Sequence, residues 1–163
     1  MTPAITFLDW LEVPAGMRWA DIGCGNGAFT DLIVARCAPS CVFGFDPSPG
    51  QIAYARTRPG AQQAQYQVAG AEALPLADDS ADVAVMALVI SFVSDPAKAI
   101  AEMARVVRPG GWVATYMWDL DGDGDLDWVT SSFSGEFFVY RNLGNGTFVF
   151  SQEFQAAGAA SCA

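Results

Sequence analysis

The chain has 163 residues, 52% of them hydrophobic and 16% charged, enough for one ordinary domain with a buried core and little more. Eight basic against eighteen acidic residues leave a formal charge of -10, which argues against a nucleic-acid backbone or an anionic membrane as partner. With no histidine in the chain, Ser-His-Asp and Cys-His catalysis, His-ligated zinc and imidazole acting as general base are all excluded.

Met1 to Trp10 holds no basic cluster ahead of an apolar stretch, so no secretory signal is read there. The longest uncharged apolar run, about Val83 to Val93, is shorter than the ~20 residues of a membrane-spanning helix, and a soluble cytoplasmic protein is expected. Cys24, Cys37, Cys41 and Cys162 form no CxxC pair and read as bystander thiols. From residue 18 to 118, short apolar runs alternate with helix-like stretches, the grammar of an α/β fold with a parallel sheet. Strands are expected at Arg18–Ile22, Cys41–Phe45, Ala64–Ala69, Ala81–Ala87 and Gly111–Met117, with helices at Ala28–Arg36, Pro49–Arg56 and Pro96–Val107. In the last helix Ala97, Ile100, Ala101, Ala104 and Val107 are expected to share one apolar face, and Arg108-Pro109-Gly110-Gly111 to end the helix in a turn.

The first strand runs into Asp21-Ile22-Gly23-Cys24-Gly25-Asn26-Gly27, and a helix follows at once. Glycines let the backbone turn tightly and approach a ligand, while the helix start offers unpaired N–H groups. Alone, such a turn is equally a structural device or a different nucleotide site. The second strand ends in Gly44-Phe45-Asp46, and an acid there can take both ribose hydroxyls in contacts worth about 1.5 to 3 kcal/mol. Asp46 could instead cap a helix, since Pro47 follows it; the two features in this order favour an adenosine-type ligand.

These residues resemble the class I S-adenosylmethionine-dependent methyltransferases, in particular the small-molecule branch related to ubiquinone and menaquinone biosynthesis. Asp21-Ile-Gly-Cys-Gly-Asn-Gly27 resembles the family's first motif, Phe45-Asp46-Pro47-Ser48 its ribose-binding strand end, and Ala71-Glu72-Ala73-Leu74-Pro75-Leu76 its adenine-side loop. Asp82-Val83-Ala84-Val85 is similar to its fourth strand and Glu102 to Gly111 to the helix-turn before strand five, so the likeness covers about residues 7 to 118. Where the family often has an acid before the Ala-Glu pair, this chain has Gly70, which leaves adenine recognition to backbone groups. The resemblance implies a Rossmann-like, doubly wound, mostly parallel five-stranded sheet, incomplete at both ends, with S-adenosylmethionine as cofactor and a small organic molecule as methyl acceptor. It implies that Asp21 orders the turn and helps place the methionine ammonium, that Gly23, Cys24, Gly25, Asn26 and Gly27 form the cofactor turn, and that Asp46 with Pro47 holds the ribose. Ala71 and Glu72 would lie beside the adenine and Ala87 would face the sulfonium, with no dedicated catalytic base.

After Trp118 the grammar changes. Asp119, Asp121, Asp123, Asp125 and Asp127 alternate around Gly122 and Gly124, hard oxygen ligands of the kind calcium takes. Thr130 stands where an EF-hand needs its bidentate Glu, so that motif is disfavoured. Trp128–Ser131 and Phe137–Tyr140 read as a hairpin, and Asn142 to Phe150 as a turn and a further short strand. This segment resembles part of an FG-GAP or VCBS repeat over about residues 119 to 150, ahead of a tail at 151 to 163 whose end, Ala156 to Ala163, is small and featureless. The hairpin is expected to pair with the edge of strand five, in place of the later strands of the methyltransferase sheet. Two other readings stand beside the enzyme: a non-enzymatic calcium-stabilised β module on an α/β scaffold, and an inactive chance fusion of two gene fragments.

Overall fold

The computed structural model describes residues 3–117 and, beyond them, the backbone of three strands. The chain begins with α1 (Pro3–Leu11), a helix absent from the sequence expectation, which buries Phe7, Leu8 and Leu11 along one side. Five strands follow, β1 (Arg18–Ile22), β2 (Cys41–Asp46), β3 (Ala64–Val68), β4 (Ala81–Ala87) and β5 (Val107–Tyr116). They are parallel and lie in the order β3-β2-β1-β4-β5. Helices α2 (Ala28–Cys37), α3 (Pro49–Ala55) and α4 (Pro96–Val106) supply the crossovers. The Rossmann-like doubly wound architecture expected from the sequence is the one observed.

Both faces of the sheet are covered, which is why β4 reads as an unbroken apolar run: Ala81 to Met86 are all buried. On one face Phe7 of α1 and Ile33 of α2 pack over Trp19, Val83, Val85 and Tyr116. On the other, Met103 and Val106 of α4 pack over Ile22, Phe45 and Met86. The buried positions of α4 are Ala99, Met103 and Val106, so the face expected from Ala97, Ile100, Ala101 and Ala104 is not the one used. Those alanines contribute little apolar area, and the larger Met103 and Val106 decide the helix's rotation. α4 also starts where its chemistry says it should: the Asp95 carboxylate accepts the Lys98 N–H and Pro96 occupies the first turn.

Strand five starts earlier than expected. Ala81 pairs with Val107 and Val83 with Trp112, so Arg108 to Gly111 form a bulge inside β5 instead of a turn before it. Gly110, at φ +77, supplies the left-handed residue the bulge needs. Beyond it, β6 (Trp128–Ser131), β7 (Glu136–Asn142) and β8 (Phe148–Gln155) continue the same sheet as an antiparallel meander. β6 pairs with β5 from Val113↔Ser131 to Tyr116↔Trp128, so the hairpin covers the β5 edge as expected. Among the described residues no helix is long and apolar enough to cross a membrane.

One acid ties together the ends of three strands opposite the glycine turn. Asp82 accepts from the Arg18 backbone N–H at 2.7 Å, from the Arg18 guanidinium, and from Arg108 Nε at 2.6 Å. These partners, the Arg18 side chain first, hold its carboxyl well below the usual carboxylate range. Its contribution is therefore complete above about pH 4 and is lost as the pH falls below that. Asp82→Ala should lower stability by about 2 kcal/mol at pH 7, read by denaturant unfolding, and by progressively less as the pH falls below about 4.

Candidate functional site

The site lies at the C-terminal ends of β1, β2 and β4, where the strand order reverses and a doubly wound sheet leaves a crevice. β1 leaves the sheet at Ile22, and the N–H groups of Gly23 and Cys24 both donate to the Phe45 carbonyl, at 2.7 and 2.9 Å. Gly23 has φ +72, and a Cβ there would lie 2.5 Å from the Val89 methyls, so only glycine suits the position. Gly25, at φ +52, has nothing within 4 Å of where its Cβ would point, so its surface stands open to a ligand. Gly27 is the left-handed cap from which α2 starts, and Asn26 accepts the Ala28 N–H through Oδ1 at 3.1 Å.

Asp46 closes the turn from the β2 side. One carboxylate oxygen accepts the Gly25 N–H at 3.0 Å and the other the Ser48 N–H at 2.8 Å. The helix cap that its place before Pro47 allowed is not Asp46 but Ser48, the cap of α3; Asp46 makes a local turn onto the Ser48 N–H and fixes the glycine turn. Each oxygen keeps lone-pair capacity for a further donor.

Asp21 sits beneath the same turn and is 1% exposed. Its Oδ2 accepts the Thr30 hydroxyl of α2 at 2.6 Å, while Oδ1 is buried with no hydrogen-bond partner. Burial pushes the Asp21 carboxyl up to about 7, against the pull of the Thr30 hydrogen bond and with a smaller push from the charge of Asp46. Burial likewise pushes the Cys24 thiol up, so this cysteine is a packed, unreactive member of the turn.

A cavity of about 390 Å³ opens between the turn and the loop after β4. Gly23, Asp46, Pro47, Ala71 and Glu72 line it, bringing together residues far apart in the chain. Gly70 lines it as well, and the Glu72 carboxylate accepts the Asp95 N–H at 3.0 Å, which ties the loop to the start of α4. Cys24, Gly25, Asn26 and Gly27 belong to the turn behind the lining, and Asp21 lies under it. Ala87 ends β4 against the α1 and α2 layer, paired with Tyr116, and does not line the cavity. Asp119, Asp121, Asp123, Asp125 and Asp127 lie outside the described residues, and among the described residues no group of acids or cysteines is placed to hold a metal.

The opposite wall escaped the sequence reading. Val89, Phe92, Val93 and Ser94 complete the lining, Phe92 with 82% of its surface exposed on a short 3-10 turn, Ile90–Phe92. Leu88, at φ +62, is the strained residue that swings the chain from β4 into this wall, its N–H held by the Tyr116 carbonyl at 2.9 Å. Thr30 was missed too; its one signal was a hydroxyl in the first turn of α2, just after the glycine turn.

Residues 119–163 match an FG-GAP-like repeat. Malonyl-[acyl-carrier protein] O-methyltransferase of Methylococcus capsulatus is 37% identical over 102 residues, 62% of this chain and 37% of that protein. Trans-aconitate 2-methyltransferase of Methylobacterium nodulans is 35% identical over 118 residues, 72% of this chain and 44% of that protein. Among solved structures, the YcgJ protein of Bacillus subtilis superposes with a TM-score of 0.66 at 25% identity, covering 74% of this chain and 52% of its own. The chain thus spans less than half the length of the two curated relatives. Residues 20–115 match the methyltransferase domain family, and with the fold and the crevice already described, the chain belongs to that S-adenosylmethionine-dependent family.

Proposed function

We propose that the chain binds S-adenosylmethionine across this cavity and presents it to a small organic acceptor for methyl transfer. The observation that carries the reading is the convergence of Gly23, Asp46, Ala71 and Glu72 on one cavity of about 390 Å³, within the size range of small-molecule sites. The residues fit the cofactor group by group. Asp46 has lone pairs to spare for ribose hydroxyls, and the open surface at Gly25 admits close approach to the backbone. Gly70 to Glu72 would border the adenine, and the unpartnered oxygen of Asp21 suits the methionine ammonium. When bound, the cofactor supplies an electrophilic methyl group that carries its own leaving group. What the chain supplies is binding and alignment, with the Val89 to Ser94 wall bounding the crevice.

The acceptor we propose is a small organic molecule, the class for which the trans-aconitate relative is named. The two-part organisation, a core to residue 118 and an acidic β segment after it, is also our reading. A calcium site at Asp119, Asp121, Asp123, Asp125 and Asp127 is a separable second reading, favoured by five like charges at alternate positions in a stretch that matches an FG-GAP-like repeat.

Asp46→Ala should weaken S-adenosylhomocysteine binding by about 10- to 100-fold in calorimetry, the loss of charge-assisted hydrogen bonds to the ribose. Wild-type affinity in that variant counts against the cofactor reading. For the acidic segment, 1 mM calcium should raise the melting temperature of the parent chain and leave Asp123→Asn/Asp125→Asn unchanged; equal behaviour of the two removes the calcium reading.

A further inference from the structure

The buried acid beneath the turn poses a problem that the cavity lining does not. Asp21 is 1% exposed, with one oxygen on a fully buried threonine and the other on nothing. The titratable groups that act on it, or on which it acts, are Asp46 at the end of β2, Cys24 in the turn, Tyr66 on β3 and Tyr116 on β5. All are acids. Neighbouring β4 brings Val85, paired with Asp21, while the Asp9 carboxylate of α1 is engaged on the surface by Arg36 of α2. An ionised carboxylate with no cation among its described neighbours is costly to bury, and such a group holds a proton until a positive charge arrives.

We infer that ligand binding at this site is coupled to loss of a proton from Asp21, whose place as counter-charge the ligand's ammonium takes, and that Thr30 is the positioning residue that holds Asp21 for this exchange. This rests on the cofactor reading above and adds its regulation by pH. The proton passes from the carboxyl to solvent, and the carboxylate then faces the ammonium, so charge balances within the site. The Thr30 hydroxyl favours the ionised form by donating to Oδ2 at 2.6 Å, and it leaves Oδ1 as the acceptor for the ligand. In the ligand-free protein the Asp21 carboxyl, pushed up to about 7, is protonated through the mildly acid range. Its folded-state contribution is thus present below about pH 4 and is lost as the pH rises through about 7, the range in which ligand binding takes over.

The test is calorimetry on the whole chain with two probes, S-adenosylhomocysteine, which carries the ammonium, and 5′-methylthioadenosine, which lacks it. S-adenosylhomocysteine should bind about tenfold more weakly at pH 6 than at pH 7.5, and should release close to one proton per site at pH 6 when buffers of different ionisation enthalpy are compared. 5′-Methylthioadenosine should bind equally at both pH values. Thr30→Val should move the pH profile of S-adenosylhomocysteine to higher pH, and Thr30→Ser should restore it. Binding of both probes without pH dependence or proton release overturns the coupling and leaves the cofactor reading intact. Binding of neither overturns both. A Thr30→Val profile that matches the parent overturns the role of Thr30, and the parent titration decides the coupling even if that variant does not fold.

Discussion

Two N–H groups on one carbonyl organise this molecule. Gly23 and Cys24 donate together to Phe45, and that junction clamps the end of β1 to the end of β2 just as both strands leave the sheet. Glycine at φ +72 is what lets the chain make the junction without driving a side chain into Val89. With the junction made, Asp46 comes within reach of the Gly25 N–H, α2 starts at Gly27, and the crevice acquires its floor. The cavity is therefore a product of backbone geometry first and of side-chain chemistry second.

Against that rigid floor the fold sets an uncompensated acid. Asp21 and Thr30 form a buried polar pair in a layer otherwise built from Phe7, Trp19, Ile33 and Val85. Apolar packing alone would have no use for such a group, and burial without a full set of partners costs stability. The carboxyl of Asp82 shows the contrast. It lies at the opposite end of the strands, shares two arginines, and is held well below the usual range instead of above it. One acid fastens the sheet and the other waits for a partner from outside it.

Much of this was legible in the sequence, for identifiable reasons. β1, β4 and the glycine turn announced themselves because parallel strands are apolar on both faces and tight turns demand glycine at fixed offsets. Asp46 followed from its place at a strand end and Ala71-Glu72 from the resemblance to the family's adenine-side loop, and the cavity joins them. The orientation of α4 was not legible, because a helix rich in alanine offers several similar faces and packing selects among them. The bulge at Arg108 to Gly111 imitates a helix-ending turn in one dimension and is distinguished only by its register against β4. The wall from Val89 to Ser94 was hidden because its composition is that of an ordinary loop; a left-handed Leu88 gives it its direction, and nothing in the residue type signals that.

The strand order has a consequence for how the chain comes to be folded. β6, β7 and β8 each pair with the strand just before them in the chain, so their pairing is between sequence neighbours. β1 is different: its two neighbours are β2 and β4, and the bond from the Arg18 N–H to Asp82 spans 64 residues of chain. Non-local pairing of this kind is slow, because a large loop must be ordered before any contact rewards it. During synthesis from the N-terminus, β1 and the glycine turn therefore stay half-paired until β4 has emerged. On that order the ligand crevice closes only after β4 and the wall that follows it have emerged, although its floor is made earlier.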